Sequence, residues 1–536
     1  MATMTALQLD VLDHHRTFRP VATTLLEESK LTSFDLIRPS TTAQDRAITS
    51  TTVPKGRSLI VIIQLAGINF ITSFSNGLIT VGLPAMAVNL GIQHTLLVWP
   101  TAAFALTSGS LLLLAGSFAD VIGPKPINVT GCFLVALFTL LSGISRTGME
   151  LIMFRALQGM ASALTFPSSI SIISQAIEPG KRRNIGFACL GLAMPLGFSF
   201  GLVLGGVLVS GIGWRAGFYI AGGVGFLLFF VGIWSLPASA KPAQHRSIWK
   251  RLRTEIDWLG VGLSSSCLAI FSYVLAALSA NINSIKKPTN IVLLAISALL
   301  APSFMYWMHV QEKAGRPALI PNSLWKRKAF TSICLMVLLS TAVVNCMELF
   351  SSLFFQEVQG LSALQASLRI LPNMILGIVT NFLTGYLIDK FPAIYAVLIS
   401  SVFCAGGPLL MALINPSWPY WYDAFFAQLL SPLSVDILFT VGILIVSEVF
   451  PENTQALAGA VFNTLAQLGT SIGLTTMSVI ADTVTDESRF KNKSSPSALM
   501  EGYRATFFAL FAWMVAACVI GGYGLKSLGK IGQKRD

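Results

Sequence analysis

The sequence predicts an all-α polytopic membrane protein, and three observations carry that reading. Apolar residues make up 54% of the 536-residue chain and charged residues only 11%. A soluble chain carries about a quarter of its residues charged, so the charge here is too sparse to cover a soluble surface. Mean hydropathy is +0.70. The apolar residues also come in runs of about 20, the length a helix needs to cross a bilayer.

Along the chain, residues 1–57 are polar and mixed in charge and read as a disordered cytoplasmic tail with no signal-peptide pattern. Six apolar spans follow, near 59–83, 96–116, 128–145, 150–174, 184–210 and 214–236, and make an N-terminal bundle over 58–236. A linker, 237–328, holds two more spans near 258–278 and 290–308. Six further spans near 329–355, 365–386, 393–414, 423–447, 456–481 and 503–525 make a C-terminal bundle over 329–525, before a short cytoplasmic tail, 526–536. The expectation is fourteen transmembrane helices arranged as six, two and six.

The net charge of +12 has a simple source, because Lys and Arg accumulate in cytoplasmic loops. Both termini inside places most of the basic residues there, including Lys181-Arg182-Arg183, Lys250-Arg251-Arg253 and Lys326-Arg327-Lys328. No soluble basic face is present for nucleic acid. Asn492-Lys493-Ser494 then falls in an external loop as an N-glycan acceptor. Cys132, Cys189, Cys267, Cys334, Cys346, Cys404 and Cys518 all lie inside apolar spans without metal-ligand spacing. They read as packing residues, and neither disulfides nor a metal or cofactor is expected.

The pattern richest in information is a repeated turn. Gly116-Ser117-Phe118-Ala119-Asp120-Val121-Ile122-Gly123-Pro124-Lys125-Pro126 follows the second span of the first half, and Gly385-Tyr386-Leu387-Ile388-Asp389-Lys390-Phe391-Pro392 follows the second span of the last half. That placement implies a duplicated transporter architecture. Gly116, Asp120, Gly123, Lys125, Gly385 and Asp389 are candidates for a conformational latch, in which a carboxylate at a helix end pairs across the halves and lets go when they rock. The alternative is a helix-capping turn with glycine for tightness.

Charges inside spans are costly and mark function. Arg155 and Gln158 lie three apart on one face of the fourth span. They are candidates for substrate handling or proton coupling, with snorkelling of Arg155 to the outer interface as the alternative. Glu348 and Asp436 are the candidate proton carriers, or buried acids paired with Arg369, Arg155 or an amide. Asn345, Asn381, Asn463, Gln428, Gln467 and Phe354-Phe355 are candidates to line an amphipathic pocket, with helix–helix adhesion as the alternative role. In the fifth span, Gly197, Gly201 and Gly205 recur every fourth residue, beside Pro195 and Gly206, a face for backbone-to-backbone helix packing. Trp214-Arg215 reads as an interfacial anchor.

These residues resemble the major facilitator superfamily, and within it the fungal-type branch of the fourteen-span drug:proton antiporters. Gly116–Pro126 is similar to that family's loop between the second and third helices, Arg155–Gly159 to its RxxQG motif and Gly197–Gly206 to its antiporter signature. Asp257-Trp258-Leu259-Gly260 is similar to the start of its extra helix pair, and the likeness extends over about residues 58–525. It implies two six-helix bundles plus two extra helices, alternating access, and export of amphipathic organic compounds against proton influx by a monomer. The expected partners are a small-molecule substrate, protons and the lipid bilayer. Several positions depart from the pattern. Ser75 stands where relatives carry a first-span acid before Val81-Gly82-Leu83-Pro84, which shifts proton coupling to the second half. Leu202 stands where the signature has proline, and Val121 and Pro124 where the loop has basic residues.

The expected function is therefore a proton-coupled exporter of drugs, toxins or secondary metabolites, at the plasma membrane or alternatively the vacuolar membrane. The alternative on the same fold is a facilitator or uniporter of a small polar solute such as ammonium or borate. An integral-membrane transferase would need a His/Asp or paired-acid cluster at one membrane face. The five histidines form none, so an enzyme is not expected.

Overall fold

The structure is a computed structural model that describes residues 55–525 apart from 94–95, 178–180, 238–251, 253–255, 281–285, 317–318, 321, 388–392 and 450–451. Every regular element among the described residues is helical. This follows from sparse charge and long apolar runs, since a helix satisfies its own backbone groups away from water.

In the first half the helices are α1 (Lys55–Leu90), α2 (Trp99–Ile122), α3 (Pro124–Ile144), α4 (Gly148–Ala176), α5 (Lys181–Gly211) and α6 (Trp214–Ser235). An added pair follows, α7 (Trp258–Ala280) and α8 (Pro288–Lys313). The second half comprises α9 (Lys328–Leu353), α10 (Ala363–Leu387), α11 (Ala393–Leu413), α12 (Ala424–Leu430), α13 (Leu433–Val449), α14 (Glu452–Glu487) and α15 (Pro496–Gly524). Pro432 interrupts one span and splits it into α12 and α13. One residue, Gly123, joins α2 to α3, and its φ of 109° is one that side chains rarely adopt.

Among the described residues twelve helices are long and apolar enough to cross a membrane, so the expectation of fourteen is not met there on that criterion. The two that fall short are the expected spans 258–278 and 456–481. In α7 the described apolar stretch is only Trp258–Phe271. The long helix α14 is diluted by Asn463, Gln467 and Thr470, which face an internal cavity rather than lipid.

Within each half the first helix is packed tightly on the fifth. A methyl group at Gly197 or Gly201 of α5 would lie 2.3 or 2.1 Å from the backbone oxygens of Phe70 and Phe74 on α1. The second half repeats this contact: a methyl at Gly469 of α14 would lie 2.1 Å from the oxygen of Leu338, and one at Gly473 2.6 Å from Ala342, both on α9. The halves meet where α5 packs on α10 and α2 on α14. Gly206 belongs to this junction, because a methyl there would meet Ser367 and Leu364 of α10. Of the added pair, α7 packs on α2 and α14, and its Ser265 Oγ donates to Ser110 O at 3.3 Å. Asp257 starts α7 by accepting Gly260 N–H at 2.9 Å, and its same oxygen accepts Trp307 Nε1–H of α8 at 2.9 Å.

The end of the bundle where α1 starts is termed near, and the end where it finishes far. At the far end one continuous apolar cluster crosses both halves, with Leu78, Val81 and Met86 of α1 beside Met347, Phe350 and Phe354. Trp214 belongs to that cluster. It is 4% exposed, stacked edge-on against Phe218 with the Arg215 guanidinium 4.3 Å from its ring. It is thus a packed core residue and not the interfacial anchor expected. Near-end packing is divided. Val61, Ile172 and Leu190 of the first half form one cluster, while Phe330, Val397 and Phe462 of the second half form another, which Leu113 of α2 joins. All seven cysteines are free.

Candidate functional site: a central cavity between the halves

A cavity of about 300 Å³ lies between the two halves, lined by α1, α2, α4 and α5 on one side and α9, α10, α13 and α14 on the other. Its walls combine amides and hydroxyls with the rings of Phe104, Phe198 and Phe439. Polar groups with aromatic faces between them suit an amphipathic guest.

Glu348 of α9 and Asp436 of α13 both open onto this cavity. Asp436 Oδ1 accepts Asn381 Nδ2 of α10 at 2.9 Å. Its other oxygen sits over Gly377, where a methyl would come within 2.7 Å. Gly377 therefore leaves the space that this carboxylate fills. Asn345 and Gln467 also line the cavity. Asn345 Nδ2 donates to Thr341 O at 2.8 Å, one turn back on its own helix. Asn463 is on the wall too, whereas Asn381 stands behind Asp436.

Arg155 and Gln158 stand behind the wall. Arg155 is fully buried, so it does not snorkel. Its guanidinium donates to Pro100 O at 3.2 Å, to Gln158 Oε1 at 2.6 Å, to Ser75 Oγ at 3.4 Å and to Asn76 Oδ1. It also lies 4.3 Å from the centre of the Phe104 ring. Gln158 Nε2 continues the chain to Thr139 Oγ1 at 2.7 Å. Every acceptor of Arg155 is neutral. Its charge is spread over oxygen dipoles, and its reach to the cavity runs through Asn76 and Phe104, both on the wall.

Three expected pocket residues lie elsewhere. Phe354 and Phe355 are fully buried in the far-end cluster. Gln428 is buried and donates to Ser351 Oγ at 2.8 Å. Arg369 binds Gln359 Oε1 at 2.5 Å, between the rings of Phe355 and Tyr420, rather than an acid. Pro195 is on the cavity wall, whereas Gly197, Gly201 and Gly205 face α1.

Of the repeated turns, Gly116 and Asp120 fall in the last two turns of α2, and Gly385 in the last turn of α10, while Asp389 lies outside the described residues. Lys125 Nζ donates to Leu236 O at 2.7 Å, and Arg57 donates to Ser235 O at 3.0 Å and Trp234 O at 2.8 Å. Together these two cations cap the carboxyl end of α6. At the far end Asn492 is exposed, its side-chain oxygen accepting Ser494 N–H at 3.1 Å.

One wall residue went unremarked in the sequence. Asn373 of α10 is 1% exposed, and both its amide nitrogen and its oxygen lack a hydrogen-bond partner. The signal was an amide just after Pro372 in an otherwise apolar run, overshadowed by the charge of Arg369 nearby.

The sequence profile described as Major Facilitator Superfamily matches residues 65–474. The chain belongs to this superfamily. It is 38% identical to MFS-type transporter 1 of Pyricularia oryzae, over 89% of this chain and 85% of that one. It is 27% identical to the low affinity ammonium transporter of Saccharomyces cerevisiae, over 76% and 77%. It is 26% identical to the efflux pump terJ of Aspergillus terreus, over 80% of each. Among solved structures, a bacterial homologue of the human lysosomal transporter Spinster, in an inward-facing conformation, aligns with a TM-score of 0.61 at 15% identity, over 89% of this chain and 98% of that one. The chain is thus a multi-pass membrane transporter of the major facilitator fold.

Proposed function

We propose that this transporter exports amphipathic organic molecules by alternating access, with protons moving through Asp436 and Glu348. The observation that supports this most is the distribution of charge around the cavity. Two carboxylates open onto it from the second half, while the first half supplies only Arg155, held back among neutral acceptors. A carboxylate that gains and loses a proton changes the charge of the cavity, and this couples ligand release to proton binding. The efflux-pump relative favours the same direction of transport.

The reading places the near end in the cytoplasm, so the far-end cluster seals the cavity from outside and the described state faces inward. It includes α7 and α14 as crossing helices, giving fourteen in all, and a monomer at the plasma membrane, with the vacuolar membrane as alternative. Asn492 serves as the external glycan site. The paired turns at Asp120 and Asp389 act as the latch. The test is a resistance panel in cells with and without the gene, repeated with Asp436→Asn and Arg155→Ala. Loss of resistance at unchanged protein levels supports the reading, and full resistance in both variants overturns the site assignment.

A second reading, a facilitator of a small polar solute, is favoured by Ser75 in place of a first-span acid and by the ammonium-transporter relative. Uptake into vesicles with and without a pH gradient separates the two, because a facilitator ignores the gradient.

A further inference from the structure

The two cavity acids are held very differently. Asp436 Oδ1 accepts Asn381 Nδ2 at 2.9 Å. The same nitrogen donates to Gly377 O at 3.0 Å, one turn back on α10. An amide nitrogen carries two hydrogens, so both are committed, and Asn381 meets Asp436 as a donor and not as an acceptor. Gly377 completes the seat, because a methyl there would come within 2.7 Å of the second carboxylate oxygen. Glu348 opens onto the same cavity, yet no described residue donates a hydrogen bond to its carboxylate. The helices packed most closely on α13 are α9, α10, α11 and α14. Among their described residues, the titratable groups that face Asp436 are Glu348 of α9 and the Cys404 thiol of α11, which donates to Ser431 O at 2.9 Å. From α10 and α14 the cavity receives amides. The helix that holds Asp436 also meets the first half: α10 packs on α5, and its Leu364 and Ser367 face Gly206.

We propose that Asn381 is the positioning residue of proton coupling: it clasps the charged form of Asp436 to α10, and so passes the proton state of the acid to the helix that meets the first half. A donor aimed at a carboxylate favours the charged form, and such a bond is roughly twice as strong as one to a neutral acceptor. When Asp436 takes a proton from water in the cavity, the bond from Asn381 weakens and the clasp between α13 and α10 loosens. When the proton returns to water, the clasp re-forms. Asn381 stands behind the acid and touches neither guest nor proton. Glu348, with no such donor, has no comparable hold on a neighbouring helix. The proposal rests on the reading that Asp436 carries the coupled proton.

The test uses the purified full chain in lipid nanodiscs, with infrared spectra recorded over a pH series. The carboxyl carbonyl band that vanishes in Asp436→Asn belongs to Asp436, and its pH midpoint is the readout. Asn381→Leu should move that midpoint upward by about one pH unit or more, the tenfold change in proton affinity that one hydrogen bond to a charged group supplies. Should the leucine variant fold poorly, Asn381→Ala tests the same loss. Spin labels at Val207→Cys on α5 and Leu368→Cys on α10, both half-exposed positions, read the junction of the halves by their dipolar broadening, in a background lacking Cys189, Cys267 and Cys518. The broadening should vary with pH in native protein and lose that variation in Asn381→Leu. A merely structural role for Asn381 would lower the melting temperature and leave the midpoint in place. An unmoved midpoint, a junction indifferent to pH in native protein, or a pH response that survives the substitution overturns the proposal. Failure of the carrier reading has a different signature: native protein would then show no titrating band that Asp436→Asn removes, and the proposal would fall with it.

Discussion

Arg155 is the residue whose surroundings most constrain the account. Four neutral oxygens, on α1, on α2 and on its own helix, hold it in separate directions. A planar guanidinium with five donors meets that demand, and an ammonium with three does not. Arg155→Lys should therefore keep the charge and lose the function. We expect substrate flux in proteoliposomes to fall about tenfold or more, ~1.4 kcal/mol in the barrier, with unchanged abundance in the membrane. Near-native flux in the lysine variant would show that charge alone suffices. At Asp436 the expectation is more selective. Asp436→Asn keeps the shape and the contact with Asn381 but not the titration. Counterflow of substrate should persist without a gradient, and accumulation driven by a pH gradient should drop about tenfold or more. Both residues were legible in the sequence because a charge inside an apolar run has few innocent explanations. Asn373 was not, because an isolated amide in a span serves equally well as adhesion between helices.

At the level of the helices, close approach decides the architecture. Gly201 permits contact with the Phe74 oxygen of α1, whereas a methyl at Gly191 on the same helix would meet nothing within 4 Å. Gly201→Ala should cost ~1–3 kcal/mol of stability, as overpacking does, and should be visible as a lower melting temperature in detergent. Gly191→Ala should melt at the native temperature or above. Equal effects of the two would mean that the glycine face does not set the spacing of α1 and α5. That face was readable because its residues recur every fourth position. The corresponding pair in the second half, Gly469 and Gly473, escaped notice since no proline or third glycine extends it. Misplacement of Gln428 and Phe354-Phe355 has another cause. Helices surrounded by lipid and protein are apolar on all sides, so polarity does not reveal which face meets a cavity. The weak hydropathy of α14 comes from the same burial: its amides are shielded by the cavity wall and need not face lipid.

For the molecule as a whole, the duplicated pattern of α1 on α5 and α9 on α14 gives two similar bodies joined along two seams. The far-end cluster spans both bodies, and the near-end clusters are largely their own. The junction at Gly206 belongs to the far-end seam. Such an arrangement can exchange one closed end for the other without repacking either body. The paired turns in the sequence suggested two bodies. Which end is shut was not legible there, because closure depends on how side chains from distant segments meet.

The most direct measurement of that exchange is the distance across the far end, between spin labels at Ile212→Cys and Tyr422→Cys. Both positions are exposed, at 75% and 74%, and they belong to different halves. The background should lack Cys189, Cys267 and Cys518, the native thiols that are not fully buried. In proteoliposomes the account expects two distances, a shorter one from the described state and a longer one from its far-end-open counterpart, in proportions that shift with pH and lose that shift in Asp436→Asn. A single distance, unmoved by pH or by transported compounds, would contradict it.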